Sequence, residues 1–379
     1  MNERRMYLET ILFGKPERIP FTPGRGRIST LKRWHSEGLP ANIVSAGEAI
    51  EYVYQMAGGK EQLPRGGEEF YIEASMIPQF EEKILEQKFN SKIVQDWQGN
   101  ICEIGNEYPI EYLRWGMDFV TRRWIKCPVE TRTDWEDMKK RYDPELPERL
   151  PEDASVLGRR LEKREHYISF TFGGPYWQLR EWLGFEKLSM MFYDNPGLIK
   201  EMLKFWQNYV LRLLERAFQY CIPDQFYISE DMAFKGQAMV SPEMIREFLL
   251  PVWTKWGEYI HSAGVPVYAI DSDGYVGGLI PFWIEAGVNI CLPMEVAAGN
   301  DVVEFRKKFG KNIAFKGGVD KRKIAKGGQD IIREMSHIEP VIRDGGYIPS
   351  CDHGVPPDVS WSNYVDYCRL VARATGWLV

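Results

Sequence analysis

The sequence predicts an α/β protein: a parallel βα barrel carrying an antiparallel β insertion in its N-terminal third. Three observations predict it. From His166 onward, apolar runs of strand length (HYISFTFGG, DQFYIS, VPVYAI, VNICLPM, NIAF, GGYIPS) alternate with helix-like segments. Alternation at roughly 20 to 40 residues gives a parallel sheet, and this many units favour closure into a barrel. Most of these runs also end in residues capable of chemistry: Glu230-Asp231, Asp271-Ser272-Asp273-Gly274, Glu295, Lys316-Gly317-Gly318 with Asp320, and Cys351-Asp352-His353-Gly354. A barrel enzyme gathers its polar groups at the C-terminal ends of its strands. Finally, residues from about 68 to 127 alternate apolar and polar side chains around turn signals such as Trp97-Gln98-Gly99-Asn100, the pattern of antiparallel strands.

The elements follow in order. A first helix is expected from Asn2 to Phe13, ended by Gly14-Lys15-Pro16. Arg18-Ile19-Pro20-Phe21 reads as a first short strand, followed by the loop Thr22-Pro23-Gly24-Arg25-Gly26-Arg27 and a helix from Ser29 to Ser36. After the insertion, the proline-bearing stretch from Glu130 to Arg159 suits a solvated connection. The strand HYISFTFGG then leads into a helix holding Tyr176, Trp177 and Arg180, and an amphipathic helix spans about Pro196 to Tyr220. Ser241-Pro242-Glu243 opens another helix, with Ser as N-cap and Pro at the first position. One barrel across residues 1–379 is therefore the expected organisation.

Composition narrows the function. Of 379 residues, 44% are hydrophobic and 27% charged, which allows a substantial core. The net charge of −6 argues against a nucleic-acid surface. The opening MNERRMYLETILFGKPERIPF lacks the apolar core of a signal peptide, and no run is long enough to span a membrane, so a cytoplasmic protein is expected. The six cysteines form no CxxC pairs and read as reduced thiols.

The candidate chemistry concentrates at strand exits. Asp271 and Asp273 stand at i and i+2, so on extended chain both point one way. Two such carboxylates need a cation between them, or one must hold a proton. They read as a metal site or an acid/base pair, against the alternative of an Asx cap on the turn at Gly274. His353 precedes a glycine that permits close approach of a ligand and lies two residues from Cys351. Of Glu230 and Asp231, neighbours that face opposite ways, Glu230 is taken as the one in the pocket. Glu230, Asp271, Asp273 and His353, with Cys351 in reserve, are ligand types that zinc accepts. Arg25 and Arg27 suit a carboxylate or phosphate. Tyr176, Trp177, Arg180 and Glu295 are further candidate substrate contacts, and Lys316 a partner for one of the carboxylates.

The closing segment Asp352-His353-Gly354-Val355-Pro356-Pro357-Asp358-Val359-Ser360-Trp361-Ser362-Asn363-Tyr364 resembles the terminal His-Gly motif of the uroporphyrinogen decarboxylase superfamily. Glu17-Arg18-Ile19-Pro20 and Gly317-Gly318-Val319-Asp320 also match, and the resemblance spans nearly the whole chain. It implies a modified TIM (β/α)8 barrel with its pocket at the strand C-terminal ends. The loop Pro23-Gly24-Arg25-Gly26-Arg27 only partly matches the Arg-Gln-Ala-Gly-Arg loop of the true decarboxylases, and their Phe-Ser-Asp motif is not recognisable. Haem biosynthesis is therefore not the activity implied.

The same superfamily contains zinc-dependent methyltransferases that serve corrinoid proteins. Asp271-x-Asp273 looks like the position of their His-x-Cys pair and His353 like their third ligand. Oxygen and nitrogen donors make zinc a harder Lewis acid, suited to an ether oxygen. The resemblance thus implies zinc, cobalamin carried by a separate corrinoid-binding protein, and O-demethylation of a small methoxylated substrate. The alternative is a metal-free decarboxylase or lyase using the Asp and His groups as acid and base, with Arg25 and Arg27 on a carboxylate. No nucleic-acid or membrane partner is expected, and homodimerisation is left open.

Overall fold

The computed structural model describes residues 1–64, 66–114 and 118–379, so 115–117 of the expected insertion fall outside the described residues. Four strands, β1 (Lys83–Gln87), β2 (Ser91–Gln95), β3 (Ile101–Gly105) and β4 (Arg122–Lys126), form an antiparallel sheet in that order. The parallel sheet runs β5 (Ser169–Gly173), β6 (Gln225–Ser229), β9 (Val267–Asp271), β10 (Ile290–Leu292), β11 (Ala314–Val319) and β12 (Tyr347–Cys351). Between β6 and β9 a small hairpin pairs β7 (Ala233–Phe234) with β8 (Gln237–Ala238). Every neighbouring pair in the six-stranded sheet is parallel, with helices in the crossovers, giving the expected TIM-barrel-like α/β fold beside an antiparallel N-terminal sheet.

Two stretches read as strand are not strand. Arg18–Phe21 joins no ladder: Ile19 N donates to Thr375 O, Pro23 O accepts from Cys351 N, and Gly26 bridges, in parallel, to Val355. Pro20 and Pro23 cannot donate, so a ladder here would be broken twice. Carbonyls of this segment are taken instead by the C-terminal region: Trp377 Nε1 donates to Ile19 O, Tyr367 Oη to Pro23 O and Tyr364 Oη to Gly24 O. The early part of the insertion, FYIEASMIPQF, is also coil. The fully buried Arg149 guanidinium takes the carbonyls of Glu73 and Ser75, which a partner strand would otherwise use, together with those of Arg141 and Asp143. On the far side, His166 Nε2 bonds Glu68 O (2.8 Å), and Phe70 packs on Phe170, so extended chain also flanks β5.

The helix Glu3–Ile11 is capped by Asn2, whose side chain accepts from Arg5 N. It plugs the N-terminal end of the barrel. Tyr7 and Ile11 pack with the inward residues Val267, Ala269, Ile290, Ala314 and Ile348 in one buried cluster. Strand side chains alternate, so the next inward layer carries Asp271, Leu292, Lys316 and Ser350. An apolar floor thus lies under a polar layer.

The helix opened by Ser241 continues through a π-helical turn, Ile245–Leu249, into Leu250–Ser262. Pro251 lacks the N–H that a regular ladder would use there. No helix among the described residues is long and apolar enough to cross a membrane.

Candidate active site

A cavity of about 1190 Å³ runs from the N-terminal helix, at Glu3, Met6 and Tyr7, to the strand C-terminal ends. Asp231, Asp271, Asp273, Lys316 and His353 line it, with Arg25 and Arg27 from the loop after Phe21. Gly24 brings that loop in: its φ is +111°, and a Cβ there would stand 2.7 Å from Cys351 Cβ. Beyond Asp273 the chain turns at Gly274, φ +84°, where a Cβ would meet Ala233 O at 2.2 Å.

The expected pair Asp271 and Asp273 does face one cavity. Burial, and then the charges of Asp231 and Asp273, push the Asp271 carboxyl up to about 7, while the Tyr227 hydroxyl pulls it back. His353 Nε2 lies 3.2 Å from Asp273 Oδ2, and this partner raises the imidazole above its ordinary value. Phe119, from the inserted region, stands between cation and imidazole. The Arg27 guanidinium lies 3.9 Å from its ring centre, and its ring stacks on His353 at 6.0 Å. Asp118 fixes that contact by accepting from Ser29 N and Oγ, while Arg27 donates to its carbonyl.

Glu230 is corrected. It is fully buried and turned away from the cavity, accepting from the backbone N–H groups of Tyr176 and Trp177 (3.0 Å each) and from Trp253 Nε1 (2.5 Å). The first two are free donors of the helix Pro175–Leu183, so this carboxylate caps a helix. Burial pushes it up to about 8 against the pull of those donors. Its neighbour Asp231 faces the cavity instead, because the backbone there turns left-handed, φ +41°, a conformation aspartate tolerates. Asp231 Oδ1 accepts from Asp273 N at 3.1 Å. Burial, then Asp273, raises its pKa.

The remaining candidates divide. Tyr176, Trp177, Arg180 and Glu295 are not among the cavity-lining residues. Tyr176 is buried with its hydroxyl on Met239 Sδ. Arg180 stacks on Trp177 (4.6 Å) and donates to Asp231 O (2.6 Å), so it acts on the site through Asp231. Glu295 pairs with Lys321 (3.0 Å) and accepts from Gly274 N, steadying the turn after Asp273. Cys351 borders the cavity but is nearly inaccessible, and burial pushes its thiol far up. Asp352 is sealed in, accepting from Val296 N and Lys321 N.

Of the five side chains expected to hold zinc, Asp271, Asp273 and His353 share the cavity but Glu230 and Cys351 do not join them. Glu230 is spent on three donors, Cys351 is a buried thiol, and His353 Nε2 is engaged by Asp273. No group of three or more His, Cys, Asp or Glu among the described residues stands where it could hold a metal ion. The donor set therefore does not fit zinc in this arrangement.

Sequence reasoning missed Asp231 and gave Lys316 only a pairing role. The alternation Ala314-Phe315-Lys316 on β11 was the available signal for Lys316, since it puts Lys316 on the face of the inward Ala314. Nothing local announces the turn at Asp231.

The residues 113–373 match the model of the uroporphyrinogen decarboxylase (URO-D) family. No curated protein sequence matches significantly. Among solved structures, a methyltransferase from Methanosarcina mazei is similar over 99% of this chain and 98% of its own, with a TM-score of 0.58 and 12% identity. A B12-independent methionine synthase from Shewanella sp. W3-18-1 aligns over 60% of this chain and 64% of its own, with a TM-score of 0.38 and 12% identity. The first of these likenesses is one of fold. By its sequence, the chain belongs to the uroporphyrinogen decarboxylase family.

Proposed function

We propose that this protein transfers a methyl group from the oxygen of a small methoxylated substrate to a corrinoid carried by a separate protein. The observation that carries the reading is the His353–Asp273 pair at the cavity wall: Asp273 favours the imidazolium, and an imidazolium there is a proton donor for a departing oxygen. In the proposed reaction the C–O bond breaks with its electron pair on oxygen, and His353 protonates that oxygen. The methyl group goes to the electron pair of a reduced corrinoid, which is consumed as a second substrate. Asp231 and its partner Arg180 hold Asp273 in place through the Asp273 N–H. The full-length likeness in fold to a methyltransferase supports the reading. No step is routed through zinc, because the residues expected to bind it are not assembled.

The test is to supply methoxylated aromatic compounds with a cobalt(I) corrinoid and follow the spectral change on methylation. The wild type should turn over, and His353→Ala should lose roughly 10²–10⁴ of its rate, the range for a lost general acid. One observation favours the alternative of decarboxylation: Asp271, raised to about 7, is a carboxylic acid able to protonate a carbanion. Release of CO2 from carboxylated substrates, with no methyl transfer from any methoxylated one, would decide for it.

A further inference from the structure

No step of the proposed reaction uses Lys316, although β11 points it into the cavity. Its register partner on β12 is Ile348, a residue of the apolar floor. On β10, Leu292 comes one step beyond the Cys291–Phe315 pair and so stands on the other flank. An ammonium between two aliphatic side chains loses hydration that favours its charge. The side chain is only partly buried, so the cavity reaches it. Among the described residues it forms no ion pair within 4.0 Å and no hydrogen bond.

The surrounding charges decide which form of the amine the site favours. Among the described residues, seven carboxylates line the cavity: Asp231, Asp271 and Asp273 at the strand ends, and Glu3, Glu48, Glu51 and Glu69 on segments preceding Phe70. Of these, Asp271 alone acts on the lysine, and it favours the ammonium. Arg25 opposes it from the loop after Phe21, whereas Arg27 is turned to Phe119 and Asp118. His353 is engaged by Asp273, and His166 by Glu68 O. Burial, then Arg25, outweighs Asp271, and the Lys316 pKa falls below the ordinary lysine value. Apolar flanks and a facing cation are the two settings that turn a lysine into a nucleophilic amine. We infer that the Lys316 amine captures the carbonyl group of a small aldehyde or ketone as an imine.

In this step the amine lone pair forms a bond to the carbonyl carbon, and the C=O π pair moves onto oxygen. The oxygen takes both amine protons and leaves as water, while the nitrogen lone pair closes the C=N bond. No oxidant or reductant is consumed. A neutral carbonyl compound suits the place, because neither the carboxylates nor Arg25 repel it, and its hydrocarbon part packs on Ile348. This activity goes beyond methyl transfer and does not depend on it.

The experiment incubates the full chain at neutral pH with benzaldehyde and sodium cyanoborohydride, which reduces an imine to a stable amine. Peptide mapping by mass spectrometry locates the label. Benzaldehyde carries no methyl group to transfer, so the result is independent of the methyltransferase reading. Lys316 should be labelled ahead of exposed lysines such as Lys15 and Lys32, and unfolding in urea should abolish that lead. Lys316→Met should lose the label while the exposed lysines keep theirs. Arg25→Gln, a change at an exposed residue, removes the opposing cation, so labelling of Lys316 should slow at neutral pH and recover as pH rises. Lys316 left unlabelled, labelled no faster than the exposed lysines, or labelled as fast in Arg25→Gln as in the wild type would each overturn the assignment.

Discussion

Asp231, Asp271 and Asp273 share one cavity, and burial, then repulsion between neighbouring carboxylates, raises Asp231 and Asp271. Asp271 carries the consequence: its ordinary value of 3.8 rises to about 7 through burial and then through the other two. A carboxyl raised on folding contributes stability that is complete below about pH 4 and is lost as pH rises through about 7. Asp271→Asn removes a charge that the fold must otherwise desolvate. The variant should match the wild type near pH 4 and exceed it at pH 8 by on the order of 3 kcal/mol. Paired urea unfolding curves at the two pH values check this, and a variant less stable at pH 8 would contradict it.

At the scale of elements, the informative unit is the helix Pro175–Leu183. Its first N–H groups converge on Glu230, and the indole of Trp253 closes the third side. Space is tight, since a Cβ on Gly174 would stand 2.2 Å from Glu230 Cδ. Glu230→Ala would strand two backbone donors and an indole donor in the core. Unsatisfied buried donors cost about 1–3 kcal/mol each, so a loss of about 3 kcal/mol or more is expected in denaturant unfolding. Local sequence does not reveal this role. Glu230 and Asp231 are equally acidic and adjacent, and only the left-handed turn at Asp231 decides which of them meets the cavity.

At the scale of the molecule, the barrel depends on a segment far from its strands in sequence. The N-terminal helix supplies Tyr7 and Ile11 as the apolar floor on which the polar layer rests. Tyr7 further bonds Gln225 at the start of β6, and Arg4 pairs with the buried Asp224 at 2.7 Å. Ile11→Ala would leave a cavity beneath Lys316 and Asp271. Loss of about 2–4 kcal/mol is expected from thermal or denaturant unfolding, the range for a large aliphatic side chain truncated in a core. The inserted sheet makes the opposite contribution at the open end, where Asp118 and Phe119 bring it onto Ser29, Arg27 and His353.

The sequence by itself determined what depends on neighbours along the chain. The order of βα units, the N-caps at Asn2 and Ser241 and the convergence of Asp271, Asp273 and His353 were legible, because period, cap chemistry and strand polarity are local. Tertiary structure decided the rest. It turned Asp231 rather than Glu230 into the cavity, kept Arg18–Phe21 out of the sheet, and drew Tyr176 and Glu295 into supporting contacts. It also left Lys316 on the inward face of β11 without an ion pair within 4.0 Å among the described residues. The reason is physical: which donor meets which acceptor across a barrel depends on distances between strands far apart in sequence, and no local pattern encodes those distances.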